Sequence, residues 1–164
     1  AQHEDPELVL CFRFPFHYKK IDDAKSKAII ADVMKDLGYE NIPPKPDSEG
    51  IILYNKGERV PIGVWIMPDN QERGMLEDFV RLLISENDDM EQFADQCLDD
   101  MIVKKTHRFN AELHRTKAFI HTWLAWQEEP GKPMGLAITM KYFDADKPIA
   151  HTFVAWLRKL FDEY

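Results

Sequence analysis

Four charged residues have the side-chain chemistry of a phosphate or metal site. Asp69 follows the apolar run 62–67, Glu77 and Asp78 stand side by side shortly afterwards, and Lys117 lies much further along the chain. Carboxylate oxygens are the ligands that Mg²⁺ prefers, and a lysine ammonium stabilises the negative charge that develops on a phosphoryl group. These residue types therefore point to phosphoryl chemistry, provided that the fold brings them together.

The position of Asp69 suits a ligand site, because ligands of α/β sheets bind beyond the carboxyl ends of the strands. An electrostatic interpretation explains the same residues without a ligand. Acidic side chains in the first turns of a helix complement its dipole, and Arg73, Glu77 and Arg81 have the four-residue spacing of helical ion pairs. The sequence leaves both interpretations open.

His107, His114 and His121 recur at a spacing of seven residues, with Lys117 among them. Seven residues span about 10.5 Å of a helix at about 1.5 Å per residue. A zinc ion with ligand bonds of about 2.1 Å cannot bridge that gap, which excludes a zinc site made from these histidines alone. Lys117 can instead present a cation to a phosphate or to a carboxylate-bound metal, whereas a solvated polar face is the simpler interpretation.

Several common catalytic motifs are absent from the sequence. There is no glycine-rich phosphate loop, Gly-x-Ser-x-Gly elbow, Cys-x-x-Cys pair or His-Glu-x-x-His helix. Asp144 and Asp146 form an Asp-x-Asp pair close to Pro148, a pattern that predicts a turn and a helix start. Most familiar enzyme classes are thereby disfavoured.

The composition predicts one folded domain over residues 1–164. The chain is 45% hydrophobic and has a formal net charge of −8, which opposes non-specific binding to phosphate backbones. Such a charge is compatible with an enzyme that recruits a divalent metal ion. The chain begins at Ala1, and one interpretation is that part of the N-terminal portion of the domain is missing.

Cysteine use and hydropathy indicate a cytoplasmic protein without membrane contact. The two cysteines, Cys11 and Cys97, lie far apart in apolar or helical contexts that favour reduced thiols over a disulfide. No apolar run approaches the roughly 20 residues of a membrane span, and no leader pattern precedes the first predicted strand.

Strands and helices alternate in the first half of the sequence. Residues 8–12 predict a strand, and residues 22–37 predict a helix that ends at Gly38. Residues 41–50 contain three prolines and predict a stiff connector. Two further predicted strands, at 51–54 and 60–67, form a hairpin whose second arm is buried.

The second half is dominated by helical periodicity, with helices predicted over 75–84, 88–101, 111–127 and 150–161. Residues 134–143 suit either a helix or a strand. The fold class is therefore α/β, with a small sheet flanked by helices and a helix-rich C-terminal half. The helix over 111–127 has a predicted core face of Leu113, Phe119, Ile120, Trp123 and Trp126, and an opposite face of Ala111, His114, Lys117, Ala118, His121 and Ala125.

Two parts of the chain also match a known pattern of residues. Residues 64–70 and 74–79 read Val-Trp-Ile-Met-Pro-Asp-Asn and Gly-Met-Leu-Glu-Asp-Phe. Residues 114–118, 121–127 and 135–138 read His-Arg-Thr-Lys-Ala, His-Thr-Trp-Leu-Ala-Trp-Gln and Gly-Leu-Ala-Ile. Together they resemble a family of uncharacterised bacterial proteins of the TOPRIM-like group, and the resemblance covers most of the chain.

The resemblance implies a compact TOPRIM-like α/β fold akin to the metal-binding domain of topoisomerases, primases and OLD-type nucleases. Such enzymes hold Mg²⁺ with a glutamate after the first strand and with an Asp-x-Asp pair after a later one. Here residues 1–20 contain no Glu-Gly-x-x-Asp motif, and residues 21–24 are a distant relative of the Asp-x-Asp segment. The resemblance matches Glu77 and Asp78 as an acidic pair and Lys117 as a basic position. Together with Asp69 after the buried strand, this predicts metal ligands Asp69, Glu77 and Asp78 and catalytic groups Lys117, Glu77 and Asp78.

The leading hypothesis is Mg²⁺-assisted phosphodiester hydrolysis by a TOPRIM-like nuclease domain. Its substrate would be a nucleic acid or a small phosphorylated molecule. The alternative is a non-catalytic module that acts through a protein partner, as the acidic charge and many aromatic residues suggest. The hypotheses differ over whether Asp69, Glu77, Asp78 and Lys117 converge in one cleft or scatter as surface ion pairs.

Overall fold

The computed structural model describes residues 32, 35, 36, 38, 39, 47–54, 61–72 and 74–162. The chain divides into two compact units, one of Ala1–Arg73 with Thr152–Tyr164 and the other of Gly74–His151. The described elements are strands β1 (Ile51–Leu53) and β2 (Ile62–Val64) and helices α1 (Leu76–Leu82), α2 (Asp89–Val103), α3 (Ala111–Ala125), α4 (Met134–Thr139) and α5 (Pro148–Asp162).

The strands of the first unit form the predicted hairpin. β1 and β2 pair antiparallel, with Ile51 opposite Val64 and Leu53 opposite Ile62. All three residues of β2 are buried, so the predicted burial of the second arm is confirmed. The core around the sheet consists of Tyr39, Leu53, Ile62 and Val64, with Ile51 and Ile66 packed against it.

The C-terminal part of α5 completes this core with aromatic side chains. Trp156 lies 5.6 Å from both Trp65 and Phe153, measured between ring centroids. Its indole Nε1 donates a hydrogen bond of 3.1 Å to the carbonyl of Ile51 in β1. The hydrogen bond matters because a buried indole N–H without an acceptor would be costly.

Most predicted elements are confirmed where the structure describes them. The four helices of the second half appear at nearly the predicted positions, and residues 134–139, left open by the sequence, form helix α4. Asp32, Lys35 and Asp36 are helical, and Gly38 has φ +83°, as the predicted helix stop requires. The predicted strand at 8–12 lies outside the described residues, as do most of the predicted helix at 22–37 and residues 41–46 of the connector.

The second unit is a helical bundle in which α3 packs against both α1 and α2. Local capping explains where two of these helices begin. Asp88 precedes α2 and accepts from the amide of Glu91, and Asn110 precedes α3 and accepts from the amide of Glu112. The buried apolar residues of this unit are Phe79, Val80, Leu83, Ile84, Ala94, Leu98, Phe119, Ile120, Trp123, Leu124, Ala137, Phe143 and Ala150.

A network of ion pairs links α1, α2 and α3 of the bundle. Arg115 of α3 lies 3.0 Å from Asp95 and 2.6 Å from Asp99, both on α2. Arg81 of α1 reaches Asp95 at 3.2 Å and Glu91 at 3.3 Å. The sequence interpretation had paired Arg81 with Glu77, one turn earlier on its own helix, but these contacts direct its guanidinium to α2.

The network changes the pKa values of its members. Burial acts to raise the pKa of the Asp95 carboxyl, but hydrogen bonds and charges from Arg115 and Arg81 outweigh it and hold the pKa below its ordinary value. The hydrogen bond to Asp99 is the largest effect on Arg115 and raises its pKa. Both shifts favour the charged forms, so the network is stable as ion pairs.

The predicted core face of α3 is wrong at its two ends. Leu113 is 43% exposed and Trp126 is 38% exposed, whereas the buried residues of the helix are Phe119, Ile120, Trp123 and Leu124. Trp126 leaves the core because α3 ends at Ala125 and Trp126 forms its C-cap. Leu113 lies in the first turn, where the bundle no longer covers the helix.

The described residues therefore form a mixed α/β protein with one two-stranded antiparallel sheet, many helices and a helical C-terminal half. The α/β class and the helix-rich second half are confirmed. Within the described ranges, no helix has the length and apolar composition needed to cross a membrane. The single-domain prediction for residues 1–164 stays a prediction.

Candidate functional site

Glu77 occupies the first turn of α1 and is 1% exposed. The turn is fixed by its neighbour Asp78, whose Oδ2 accepts a 2.6 Å hydrogen bond from the amide of Met75 at the start of the helix. The same residue donates its own amide to the carbonyl of Met75 at 3.1 Å. One predicted site residue thus caps the helix that carries the other.

Lys117 lies near the middle of α3 and reaches towards Glu77. Its Nζ is 3.9 Å from Glu77 Oε1, and its side chain is 46% exposed. Two of the next three residues, Phe119 and Ile120, are fully buried and anchor this part of α3 in the core. The structure therefore brings together two of the four predicted residues through the packing of α1 against α3.

The Glu77–Lys117 pair has an asymmetric environment. A carboxylate removed from water is unfavourable unless it is paired or hydrogen-bonded, and Lys117 provides one opposite charge. The Lys117 side chain itself remains partly exposed to solvent. Glu77 thus holds the Lys117 ammonium near the protein surface. An ammonium in this position can bind a phosphate oxygen.

Asp69 belongs to the first unit, where its side chain stabilises a turn. Its Oδ1 accepts hydrogen bonds from the amides of Gln71 at 2.9 Å and Glu72 at 2.8 Å. This is the usual turn-forming behaviour of aspartate. The Glu77–Lys117 pair belongs to the other unit and consists of residues from α1 and α3 only.

Asn70 follows Asp69 and is a buried polar residue of the same loop. It is 3% exposed and adopts a left-handed φ of +65°. Its Oδ1 accepts from the amide of Ile66 at 2.7 Å, and its own amide donates to the carbonyl of Ile66 at 2.8 Å. The motif Pro-Asp-Asn after an apolar run is the signal that would have predicted such a loop.

The histidine stripe does not act as one group. His121 is exposed, His114 is half-buried, and His107 lies beyond the N-terminus of α3, with its ring 5.2 Å from that of Phe109. In the described part of the chain, no three His, Cys, Asp or Glu side chains are grouped so that they could hold a metal ion. Lys117 is the member of the stripe whose buried ion-pair partner is identified.

The three predicted magnesium ligands each have another contact in the structure. Glu77 Oε1 faces Lys117, an oxygen of Asp78 is occupied by the Met75 amide, and Asp69 caps its own loop in the other unit. Mg²⁺ requires near-octahedral oxygen coordination at about 2.0–2.1 Å, which needs convergent oxygens or bound water. Bound water would have to complete the coordination of a magnesium ion held by these carboxylates.

Comparison with known proteins gives one match. The family model DUF3226, described as a protein of unknown function, matches residues 20–162. No curated protein and no solved structure matches the chain. The family model covers most of the sequence, and the chain therefore belongs to the DUF3226 family.

Proposed function

We propose that this member of the DUF3226 family is a TOPRIM-like domain that hydrolyses phosphodiesters, with the Glu77–Lys117 pair at its active site. One observation carries the proposal: a fully buried carboxylate lies 3.9 Å from the ammonium of a lysine whose side chain is 46% exposed. Buried charges of this kind are unfavourable for stability and are concentrated at functional sites. The family resemblance of residues 64–79 and 114–138 supports the same chemistry.

Lys117 is the catalytic residue in this proposal. In hydrolysis, a water oxygen bonds to phosphorus, the ester P–O bond breaks, and the leaving oxygen takes up a proton. Negative charge spreads over the non-bridging oxygens in the transition state. The Lys117 ammonium would bind one of these oxygens, since a preorganised cation stabilises that charge more than it stabilises the ground state.

Glu77 and Asp78 have supporting roles in the proposed reaction. Glu77 holds the Lys117 ammonium by its charge. Asp78 fixes the first turn of α1, on which Glu77 stands. A nucleic acid and a small phosphorylated molecule are both candidate substrates, because each presents a phosphodiester.

Magnesium enters the proposal only as a requirement to be tested. When bound, Mg²⁺ would supply charge neutralisation and a polarised water molecule. Asp69, Glu77 and Asp78 are its proposed ligands, although the described carboxylates do not assemble the set. The hydrolysis steps described here do not depend on the metal ion. The TOPRIM-like fold and a cytoplasmic location are predictions, as the bound metal is.

The test combines metal titration with a hydrolysis assay on bis(p-nitrophenyl) phosphate and a single-stranded oligonucleotide. Mg²⁺ and Mn²⁺ are titrated calorimetrically into the wild type and into the Glu77→Gln, Asp78→Asn double variant. Lys117→Met keeps most of the side-chain length and removes the charge. We expect kcat to fall about 100-fold, the usual effect of removing one stabilising donor.

Lys105→Met is the matched control, since Lys105 is an exposed lysine of the same unit that lies outside α3. Thermal unfolding of all variants separates a catalytic loss from a folding defect. Hydrolysis that survives in Lys117→Met at the wild-type rate would refute the assignment of the site. A wild type without hydrolysis in either metal would refute the proposed activity itself.

A further inference from the structure

The clearest exposed apolar feature of the second unit is a pair of aromatic rings. Phe93 of α2 is 59% exposed and Trp126, the C-cap of α3, is 38% exposed. Their ring centroids are 5.5 Å apart, with an angle of 38° between the planes. Single exposed apolar residues are common, but two large rings in contact at the surface are typical of interaction sites.

The side of α2 that carries Phe93 is otherwise polar and acidic. Asp89 lies one turn before Phe93 and is exposed, while Asp100, further along the same side, is paired with Lys104 at 3.1 Å. The opposite side of the helix contains its buried residues, Ala94 and Leu98. The aromatic anchor therefore lies one helical turn from an exposed carboxylate, that of Asp89.

Helix α2 as a whole is acidic. The helix contains five acidic residues and no basic residue. Asp95 and Asp99 pair with Arg115, and Glu91 and Asp100 pair with Arg81 and Lys104. Asp89 is exposed at the start of the helix. Beyond α3, Glu128 is exposed two residues after Trp126. Asp89 and Glu128 are thus exposed carboxylates close in sequence to Phe93 and Trp126.

We propose that the Phe93–Trp126 pair anchors a docking surface for a basic segment of a partner protein. An arginine or lysine of that segment lies over the rings, and neighbouring cations face Asp89 and Glu128. Aromatic faces attract cations, and tryptophan does so most strongly. The net charge of −8 steers a basic partner towards the chain and repels an acidic one.

The surface is independent of the proposed hydrolysis. None of its residues belongs to the Glu77–Lys117 pair, and recognition of a cation requires no metal. Binding can therefore be measured in the presence of a chelator, so that failure of the enzymatic proposal leaves this one untouched. The sequence suggested, as an alternative, a module that acts through a protein partner. The Phe93–Trp126 surface is the binding site that we propose for such a partner.

The test uses a blocked peptide of alternating arginine and leucine as the probe. Titration calorimetry and tryptophan fluorescence follow its binding to the full chain, beside the same peptide with glutamate in place of arginine. We expect saturable binding of the arginine peptide only. The Phe93→Ser, Trp126→Ser double variant should bind about tenfold more weakly, because it removes two exposed cation–π contacts.

Two further variants separate the aromatic from the electrostatic contribution. Asp89→Asn should weaken binding about twofold at low salt and have no effect at high salt, since exposed charges are screened. Val103→Ser removes an apolar side chain that is 80% exposed at the other end of α2, and it should leave binding unchanged. All these positions are exposed, so circular dichroism should show unaltered folding.

Three results would overturn the proposal. The double variant binding the arginine peptide as tightly as the wild type would leave only non-specific charge attraction. Equal binding of the glutamate peptide would remove the basis in charge. Self-association of the peptide-free wild type that disappears in the double variant, measured by analytical ultracentrifugation, would assign the surface to a second copy of the chain.

Discussion

The carboxylate of Asp88 bonds to Trp123 across the helical bundle. Its Oδ2 accepts from the indole Nε1 of Trp123 on α3 at 3.2 Å, while its Oδ1 accepts from the amide of Glu91 in the first turn of α2 at 3.0 Å. One side chain thus caps α2 and satisfies the polar atom of a tryptophan that is 1% exposed. The start of α2 and the core of α3 are therefore coupled.

Asp88→Ala should destabilise the protein by about 2 kcal/mol, because it removes a helix cap and leaves a buried indole N–H without an acceptor. Urea unfolding followed by tryptophan fluorescence measures the change. Asp88→Asn retains capping ability and should cost about half as much. Asp89→Ala, at the exposed neighbouring position, serves as the control, and a loss there equal to that of Asp88→Ala would contradict the coupling.

Gly63→Ala should disrupt the packing of β2 against α5. A Cβ atom at this position would lie 2.5 Å from Leu160 Cδ2 and 2.7 Å from Trp156 Cζ2, and both side chains are buried. We expect a loss of about 1–3 kcal/mol from overpacking, measured by thermal and urea unfolding.

Gly135→Ala provides the matched control for that substitution. A Cβ there would meet no atom within 4 Å, and the residue lies in helix α4. Alanine should be neutral or stabilising by about 0.5 kcal/mol, since glycine is a poor helix former. Equal effects of the two substitutions would show that Gly63 does not approach α5 as closely as described.

Asp95 should make stability depend on pH in the acid range. Its pKa is lowered in the folded state, so the folded protein binds its proton less readily than the unfolded chain does. The stabilisation is therefore complete above the ordinary value of 3.8 and is lost as the pH falls through the lower folded pKa.

The measurement is a series of urea unfolding curves between neutral and acid pH. Asp95→Asn should be less stable than the wild type near neutral pH and should lose less stability on acidification. Asp146→Asn, at an exposed turn outside the network, should retain the wild-type slope. An acid limb that is unchanged in Asp95→Asn would exclude Asp95 as its source.

Asn70 should be needed for the loop after β2. Alanine removes the acceptor for the Ile66 amide, and it tolerates a backbone at φ +65° less well than asparagine, whose short polar side chain can hydrogen-bond locally. We expect Asn70→Ala to cost about 1–3 kcal/mol. Asn70→Gly loses the same hydrogen bond but tolerates the left-handed backbone, so it should be less harmful than alanine.

The two substitutions are compared by thermal unfolding. A glycine variant that is as unstable as the alanine variant would place the whole effect in the lost hydrogen bond. A wild-type stability in both would show that the Asn70 amide makes no net contribution. Asn70 Nδ2 has no hydrogen-bond partner among the described residues. Each substitution therefore removes only one side-chain hydrogen bond, the one that Asn70 Oδ1 accepts.

The sequence predicted the local structure well where the signals are local. Helical periodicity placed α1, α2, α3 and α5, and the β-rich runs on either side of residues 55–58 placed the hairpin. These signals act within a few residues, through spacing and hydrogen bonds to nearby backbone. The burial of Trp126 was predicted wrongly because helical periodicity does not show at which residue a helix ends.

The site was predicted only as a set of residue types. The sequence named Asp69, Glu77, Asp78 and Lys117, but it could not decide which of them meet. In the structure, Asp69 and Asp78 bond to nearby amides, while Glu77 pairs with Lys117 forty residues away. Nearby backbone amides compete with more distant partners for the hydrogen bonds of a carboxylate. Which partner wins depends on the backbone geometry, and the sequence does not state that geometry.

The amino-acid sequence by itself determined the α/β class, the helical second half and the candidate residues, because these follow from periodicity and side-chain chemistry. Tertiary structure alone decided that Glu77 is buried, that Lys117 is its partner, and that Phe93 and Trp126 form an exposed pair. Such contacts join residues far apart in the chain, and they are fixed by how α1, α2 and α3 pack.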